Sequence, residues 1–303
     1  MILKKHQKAF SLIEISVVIV IIGILIAGVS QGIDLYNEFK LTNARTLTLN
    51  SVVSRISNLS MWWETTAENS FKTAKPNDGE LINQWNDINP QRSMKINLFN
   101  TPNDASRPAY KVSAINNLPA LKFSNVQELR SADIKGDSFF SNNEITVFLV
   151  QNSVGSNDFN STMSWVPTSN NLDSGGSEIA RFNLHLPHSD IFYFDFSGSG
   201  LSGRLGASGA NIYSGKNNLF SFKRSGAEMR MRLNGQQIAY SSSITGTISN
   251  SSIAPFIVGK LRTEGWYSFE GLIGEIIIYG NGLHISEIQK IEAYLAKKWG
   301  IKI

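Results

Sequence analysis

From Ala9 to Ile33 the chain carries one charge, Glu14, in a stretch whose centre reads Ile-Ser-Val-Val-Ile-Val-Ile-Ile-Gly-Ile-Leu-Ile-Ala over residues 15–27. An apolar run of this length predicts a helix that crosses a bilayer. Helical spacing continues beyond it through Tyr36, Phe39, Ala44, Leu47, Val52, Ile56 and Leu59, so one helix is predicted from Phe10 to Leu59. A discarded secretory signal would also open on basic residues and an apolar stretch. Three features oppose it: a carboxylate inside the apolar run, no clean small-residue cleavage pattern at its end, and the continuing helical period.

After Leu59 the pattern changes to short alternating segments parted by Gly, Asn, Ser and Asp, the texture of a β-sandwich or jelly roll. Predicted strands include Glu144–Val150, Glu178–Leu184, Ile191–Phe196, Leu219–Lys223, Glu228–Leu233 and Leu272–Tyr279. In Met229-Arg230-Met231-Arg232-Leu233 the alternation places Arg230 and Arg232 toward solvent, and Asn234-Gly235 predicts a tight hairpin turn. The Asn- and Ser-rich stretch from Asn152 to Ser177 reads as a long surface loop. Near the end, Ser286-Glu287-Ile288-Gln289 predicts a capped helix start. Ile288, Ile291, Leu295 and Trp299 then form the apolar face of a short closing helix.

Composition narrows the function classes. The 303 residues are 42% hydrophobic and 17% charged, which excludes a disordered chain, and cysteine is absent. The sandwich must therefore be held by its core rather than by disulfides. Net charge is +4, but Lys4, Lys5 and Lys8 lie in the first nine residues, and 28 basic residues less these three leave 25 against 24 acidic ones. No basic surface and no nucleic-acid partner are expected.

The string Lys8-Ala9-Phe10-Ser11-Leu12-Ile13-Glu14 resembles the leader junction of type IV pilins and type II secretion pseudopilins. That resemblance implies a leader over residues 1–9, cleavage by a prepilin peptidase between Ala9 and Phe10, N-methylation of Phe10, and retention of residues 10–59 as anchor and assembly helix. Ala9 stands where the family usually has glycine. The resemblance also gives Glu14 a partner, the amino terminus of a neighbouring subunit. The alternative is a carboxylate solvated at headgroup level, since a buried one is costly. Gly23 and Gly28 permit close helix approach but receive no role. Gln31 replaces a proline common in major pilins, and the usual disulfide is missing, which points to a minor pilin or a pseudopilin.

Over residues 60–303, four blocks resemble the laminin G-like branch of the concanavalin A-like lectin/glucanase superfamily. They are Gln84-Trp85-Asn86-Asp87, Arg107-Pro108-Ala109-Tyr110, Leu118–Phe123, and Gly274–Tyr279 with the helix ending Lys298-Trp299-Gly300. Met61-Trp62-Trp63-Glu64-Thr65 sits where such domains often read Trp-x-Asp-Ala. The fold class expected is thus a long N-terminal transmembrane α-helix followed by a mainly-β jelly-roll sandwich with a short C-terminal helix.

Chemistry is sparse. Glucanases of that superfamily carry paired carboxylates in an ExDxxE pattern, which is absent, and Glu270/Glu275 and Asp190/Asp195 have spacings that put each pair on opposite faces of a regular strand. His185-Leu186-Pro187-His188 is the densest histidine cluster and reads as a surface turn. No metal or cofactor is expected. Calcium would find loop oxygens at Asp87, Asp104, Asp158 and Asp173, although turn-forming aspartates account for these as well. No GxSxG elbow occurs over residues 60–303. Trp62, Trp63, Trp165 and Trp266 raise the question of sugar stacking, with Trp165 most open to a surface role, whereas Trp85 and Trp299 are expected in the core.

The sequence therefore predicts a noncatalytic pilin-like subunit displaying a binding domain, with a cargo-contacting pseudopilin and an anchored glycan-active enzyme as alternatives. Its partners would be prepilin peptidase, other pilin subunits, the inner membrane, and a glycan, surface or secreted cargo. It would begin as a single-pass inner-membrane protein with its C-terminal domain extracytoplasmic, then enter a pilus or periplasmic pseudopilus.

Overall fold

The computed structural model describes residues 11–73, 75–101, 106–124, 126–141, 143–154, 160–167, 182–196, 202–248, 250–261 and 268–303. The chain divides into two compact units, Met1–Asn43 and Ala44–Ile303. Within the first, α1 (Leu12–Leu49) begins. Its side chains from Leu12 through Ile33 are exposed and almost wholly apolar, and the helix is long and apolar enough to cross a membrane.

The helix stops ten residues short of Leu59. Asn50 caps it, donating from its side chain to the Thr46 carbonyl at 3.0 Å. A 3-10 turn at Val53–Arg55 and a left-handed Asn58 (φ 65°) then turn the chain into β1 (Leu59–Glu64). The apolar residues after Leu49 mimic a helical period because Val52, Ile56 and the buried Leu59, though outside the helix, all pack into one core. The compact second unit begins at Ala44, so the boundary expected near residue 60 falls inside it. A chain starting at Ser60 lacks Ala44, Thr48, Val53 and Leu59, all buried. We expect a fragment starting at Ala44 to unfold at higher urea concentration than one starting at Ser60; equal midpoints would place the boundary at 60.

The second unit is built on two antiparallel sheets. In spatial order the first is β14 (Gln236–Ser241), β13 (Glu228–Leu233), β12 (Asn218–Ser225), β7 (Glu144–Ser153), β16 (Gly271–Tyr279), β5 (Leu118–Phe123) and β4 (Ala109–Ile115), with β1 also paired to β16. The second runs β11 (Arg204–Ser208), β10 (Ile191–Phe196), β9 (Phe182–His188), β8 (Met163–Trp165), β15 (Ile253–Val258), β6 (Leu129–Lys135), β3 (Leu98–Phe99) and β2 (Gln84–Trp85). The chain crosses repeatedly between sheets, as from β5 to β6 to β7 and from β14 to β15 to β16, which is jelly-roll behaviour. Between the sheets lies an aromatic core in which the Phe139 ring meets Phe140, Trp165 and Phe256 at 5.0, 5.4 and 5.5 Å.

Alternation makes these strands legible. Ile191–Phe196 and Glu228–Leu233 have the expected bounds, and Asn234 and Gly235 take φ 48° and 77°, as a type I′ hairpin requires. Three local expectations change. Arg232 does not face solvent: the outer face of the first sheet is covered by α2 (Ile285–Trp299), and Arg232 pairs there with Glu292 at 2.8 Å. The stretch 152–177 is not simply loop, since β7 runs to Ser153 and β8 lies within it. Finally, α2 is capped by His284 rather than Ser286. His284 Nδ1 accepts from Ser286 N–H at 3.3 Å, and Glu287 Oε2 accepts from His284 N–H at 2.9 Å.

The apolar face of α2, with Ile288, Ile291, Leu295 and Trp299, packs on this outer face with Ala44, Val53, Trp62 and Ile277 to form a second core. Gly274, at a register shift in β16, lets the Trp299 ring lie against the strand; an added Cβ would meet that ring at 2.5 Å. Gly274→Ala should cost about 1–3 kcal/mol by overpacking, measurable by urea unfolding, and a cost near zero would show that Trp299 can move aside.

Candidate functional site

Three places in the chain combine chemistry with position. The first is the start of α1. Ser11 N–H donates to Glu14 Oε2 at 2.8 Å, and the Ser11 hydroxyl accepts from Ile13 N–H at 3.3 Å. Glu14 thus lies in the first turn, where the helix dipole favours a carboxylate, and its side chain is exposed. Ala9 and Phe10, and with them the expected cut and methylation site, lie outside the described residues.

The second is wholly buried and connects four elements. Glu64 on β1 and Glu275 on β16 face one another in register. Lys298, from the last turn of α2, reaches between them, with Nζ 2.9 Å from Glu64 Oε2 and 2.8 Å from Glu275 Oε2; none of these side chains reaches solvent. Lys298 Nζ also donates to the Thr48 hydroxyl at 2.8 Å, which brings in the last turn of α1. Glu275 Oε1 accepts from Trp62 Nε1 at 2.8 Å and from the Tyr294 hydroxyl at 2.9 Å, and Oε2 from Trp299 Nε1 at 2.8 Å. Glu64 Oε2 accepts from the Thr66 N–H and hydroxyl, both at 2.6 Å, while Oε1 accepts from Ala67 N–H.

Every carboxylate oxygen here has a donor, which is what burial of charge demands. Burial alone would lower the Lys298 ammonium, but Glu275 and then Glu64 outweigh it and hold it above its ordinary value. Burial, followed by Glu275 and Glu64, pushes Tyr294 well above its ordinary value, so it remains a phenol that donates. Glu64, which stands where such domains often have an aspartate, takes a polar role here.

The third lies on the outer face of the second sheet. Arg204 grips Asp195 at 2.5 and 2.8 Å and its guanidinium sits 4.2 Å over the Tyr193 ring. His185 Nδ1 donates to the Asn160 carbonyl at 3.1 Å, and Nε2 lies 3.7 Å from Asp195 Oδ2. The histidine segment is therefore strand, not surface turn. A register shift between β9 and β10 brings His188 to within 5.3 Å of the His185 ring, on the same face.

The remaining expected positions are scattered or structural. Trp62, Trp63, Trp85, Trp165 and Trp299 are all buried, so Trp165 joins the core rather than a sugar platform; Trp266 lies outside the described residues. Asp87 accepts from the N–H groups of Trp62, Asn89 and Ile96, organising a loop, and burial raises its pKa despite these donors. Asp104, Asp158 and Asp173 lie outside the described residues. Asp190 accepts from Asn211 N–H at 2.7 Å, away from the buried Asp195. Among the described residues no group of three metal-ligating side chains converges.

Residues 4–30 match the family described as "Prokaryotic N-terminal methylation motif". No curated protein sequence matches the chain. Among solved structures, the chain is similar to domain 4 of AbnA, a GH43 extracellular arabinanase from Geobacillus stearothermophilus (16% identity, 71% of this chain and 100% of that one, TM-score 0.49). It is also similar to the CBM40 of Ruminococcus gnavus IT-sialidase (16% identity, 50% and 83%, TM-score 0.41) and to Trypanosoma rangeli sialidase (11% identity, 78% and 33%, TM-score 0.48). The chain thus carries a type IV prepilin methylation motif on an apolar, membrane-capable helix, followed by a two-sheet antiparallel sandwich.

Proposed function

We propose that the protein is a minor type IV pilin-like subunit, anchored and assembled through α1, that displays its sandwich as a noncatalytic binding domain outside the cytoplasm. The observation that carries this reading is the methylation motif over residues 4–30, continuous with a helix whose apolar side chains are left uncovered. Leaving so much apolar surface exposed is stable only in lipid or against neighbouring helices. The sandwich supports the noncatalytic half. Its two facing glutamates, Glu64 and Glu275, are closed off from solvent around Lys298, so neither is placed to meet a glycosidic bond.

Coexpression with a prepilin peptidase tests the assembly half. Intact mass should show loss of Met1–Ala9 and addition of a methyl group to Phe10. An uncut chain, or a cut after Ala27, would sink the assignment. For the display half, incubation with a polysaccharide panel should yield no turnover; cleavage lost on a carboxylate substitution would make the domain an enzyme. Recovery with a secretion complex rather than from sheared surface filaments would assign the chain to a pseudopilus instead.

A further inference from the structure

We propose that Lys298 and Glu64 form an intramolecular amide crosslink, with Glu275 as the group that carries the proton. The three side chains satisfy what such a bond needs: an amine and a carboxyl group in contact, a second carboxylate on the same nitrogen, and no water. Lys298 Nζ is 2.9 Å from Glu64 and 2.8 Å from Glu275, and all three side chains are fully buried. Trp62, Trp299 and Tyr294 wall the site and donate to Glu275.

The two carboxylates differ in a way that assigns their parts. Glu64 is held by fixed backbone donors, the N–H groups of Thr66 and Ala67, together with the Thr66 hydroxyl. Such donors stabilise negative charge that builds on oxygen when a carboxyl carbon is attacked. Glu275 is held by two indoles and a phenol and shares its Oε2 with the lysine, which suits a group that takes up a proton and returns it.

In the step itself, Glu275 passes one proton from the Lys298 ammonium to Glu64, and the freed amine attacks Cδ of the now neutral Glu64 carboxyl group, forming the C–N bond. As the tetrahedral centre collapses, one Glu64 oxygen leaves with the proton passed on by Glu275 and a second proton from the nitrogen. The products are a secondary amide and one water, and Glu275 ends as the carboxylate it began. No oxidant, metal or second substrate enters. Holding the partners in contact is equivalent to an effective concentration on the order of 10⁵–10⁸ M. Burial favours the outcome, because two of three desolvated charges are replaced by a neutral amide. The bond would join the first strand of the sandwich to its last helix, 234 positions apart in sequence.

The test is peptide mapping of the full-length protein, purified from membranes in detergent, unfolded and digested. The expected result is one branched peptide in which Glu64 is joined to Lys298, lighter by one water than its two arms, with no free Lys298 side chain to acetylate. Glu275→Gln, checked for retained β structure by circular dichroism, should slow crosslinking by about 100-fold or more. Recovery of the two arms as separate peptides from folded wild-type protein would overturn the proposal whatever the variant does. So would a bond to Glu275 in place of Glu64, or full crosslinking in folded Glu275→Gln.

Discussion

Replacing Lys298 by methionine should destabilise the Ala44–Ile303 unit by about 3–5 kcal/mol, the cost of stripping one partner from a buried ionic cluster. Methionine keeps the length of the side chain but leaves Glu64 and Glu275 facing each other without a cation. Urea unfolding should show the loss as a shift of midpoint at nearly constant slope. Adding Glu64→Gln to the methionine variant should recover part of it, because one of the two stranded charges is gone; equal midpoints would mean the carboxylates had already taken up a proton. The pH dependence follows from the raised Lys298 value. A cation whose folded pKa exceeds its unfolded one contributes fully below about 10.4, the ordinary lysine value, and ceases to contribute as pH rises through the folded value. Uncrosslinked wild type should thus lose stability at the alkaline end where the methionine variant does not. If the amide has formed there is no ammonium to titrate and that alkaline loss is absent, a difference that peptide mapping reads independently.

Glu14→Ala should leave membrane insertion intact and reduce incorporation into filaments by at least roughly tenfold. Insertion survives because alanine makes the segment more apolar. Incorporation suffers because two unit charges at about 4 Å attract by about 4 kcal/mol at an effective dielectric near 20, and every 1.4 kcal/mol is about tenfold in an equilibrium. Among the described residues Glu14 accepts through Oε2 from Ser11 N–H, which leaves Oε1 for the amine of a neighbour in the proposed filament. The measurement is membrane fractionation beside filament recovery, with leader removal followed in the same samples. Processed Glu14→Ala entering filaments as well as wild type would return Glu14 to the role of a solvated headgroup-level residue.

The two ends of the chain are unequally legible in sequence. The membrane-capable helix is plain because an almost uncharged apolar run of bilayer-spanning length fits little else, and the strands are plain where a polar outer face preserves alternation, as in β10 and β13. Legibility fails where a second layer covers the sheet. Arg232 sits in an alternating strand, yet α2 lies across that face and turns an expected solvent position into an ion pair with Glu292. The Lys298 cluster escapes sequence reasoning for a related reason. Its members are 211 and 23 residues apart along the chain, two of them at an element's end and Glu275 in mid-strand, and each alone looks like a surface charge. A signal is nonetheless present: Glu64 follows Met61-Trp62-Trp63, Glu275 precedes three isoleucines, and Lys298 lies three residues after Leu295 and beside Trp299. Charges lodged in such apolar company need partners, but only the fold shows that they are one another's. The end of α1 is hidden because helical spacing persists by coincidence across a turn whose real markers are Asn50 and Asn58.

The position of β16 bears on when this domain is able to fold. It is the last strand made, yet it lies between β7 and β5 and also receives β1. Until residues 271–279 emerge, those three earlier strands lack their common neighbour, and until Trp299 follows, the outer face of the sheet has no cover. Pairing across such separations is slow and demands loop closure first. A nascent chain held at the membrane by its leading helix would therefore remain incomplete through nearly the whole of its synthesis. It would close in one late step, which makes loss of its final turn more damaging than the loss of most loops.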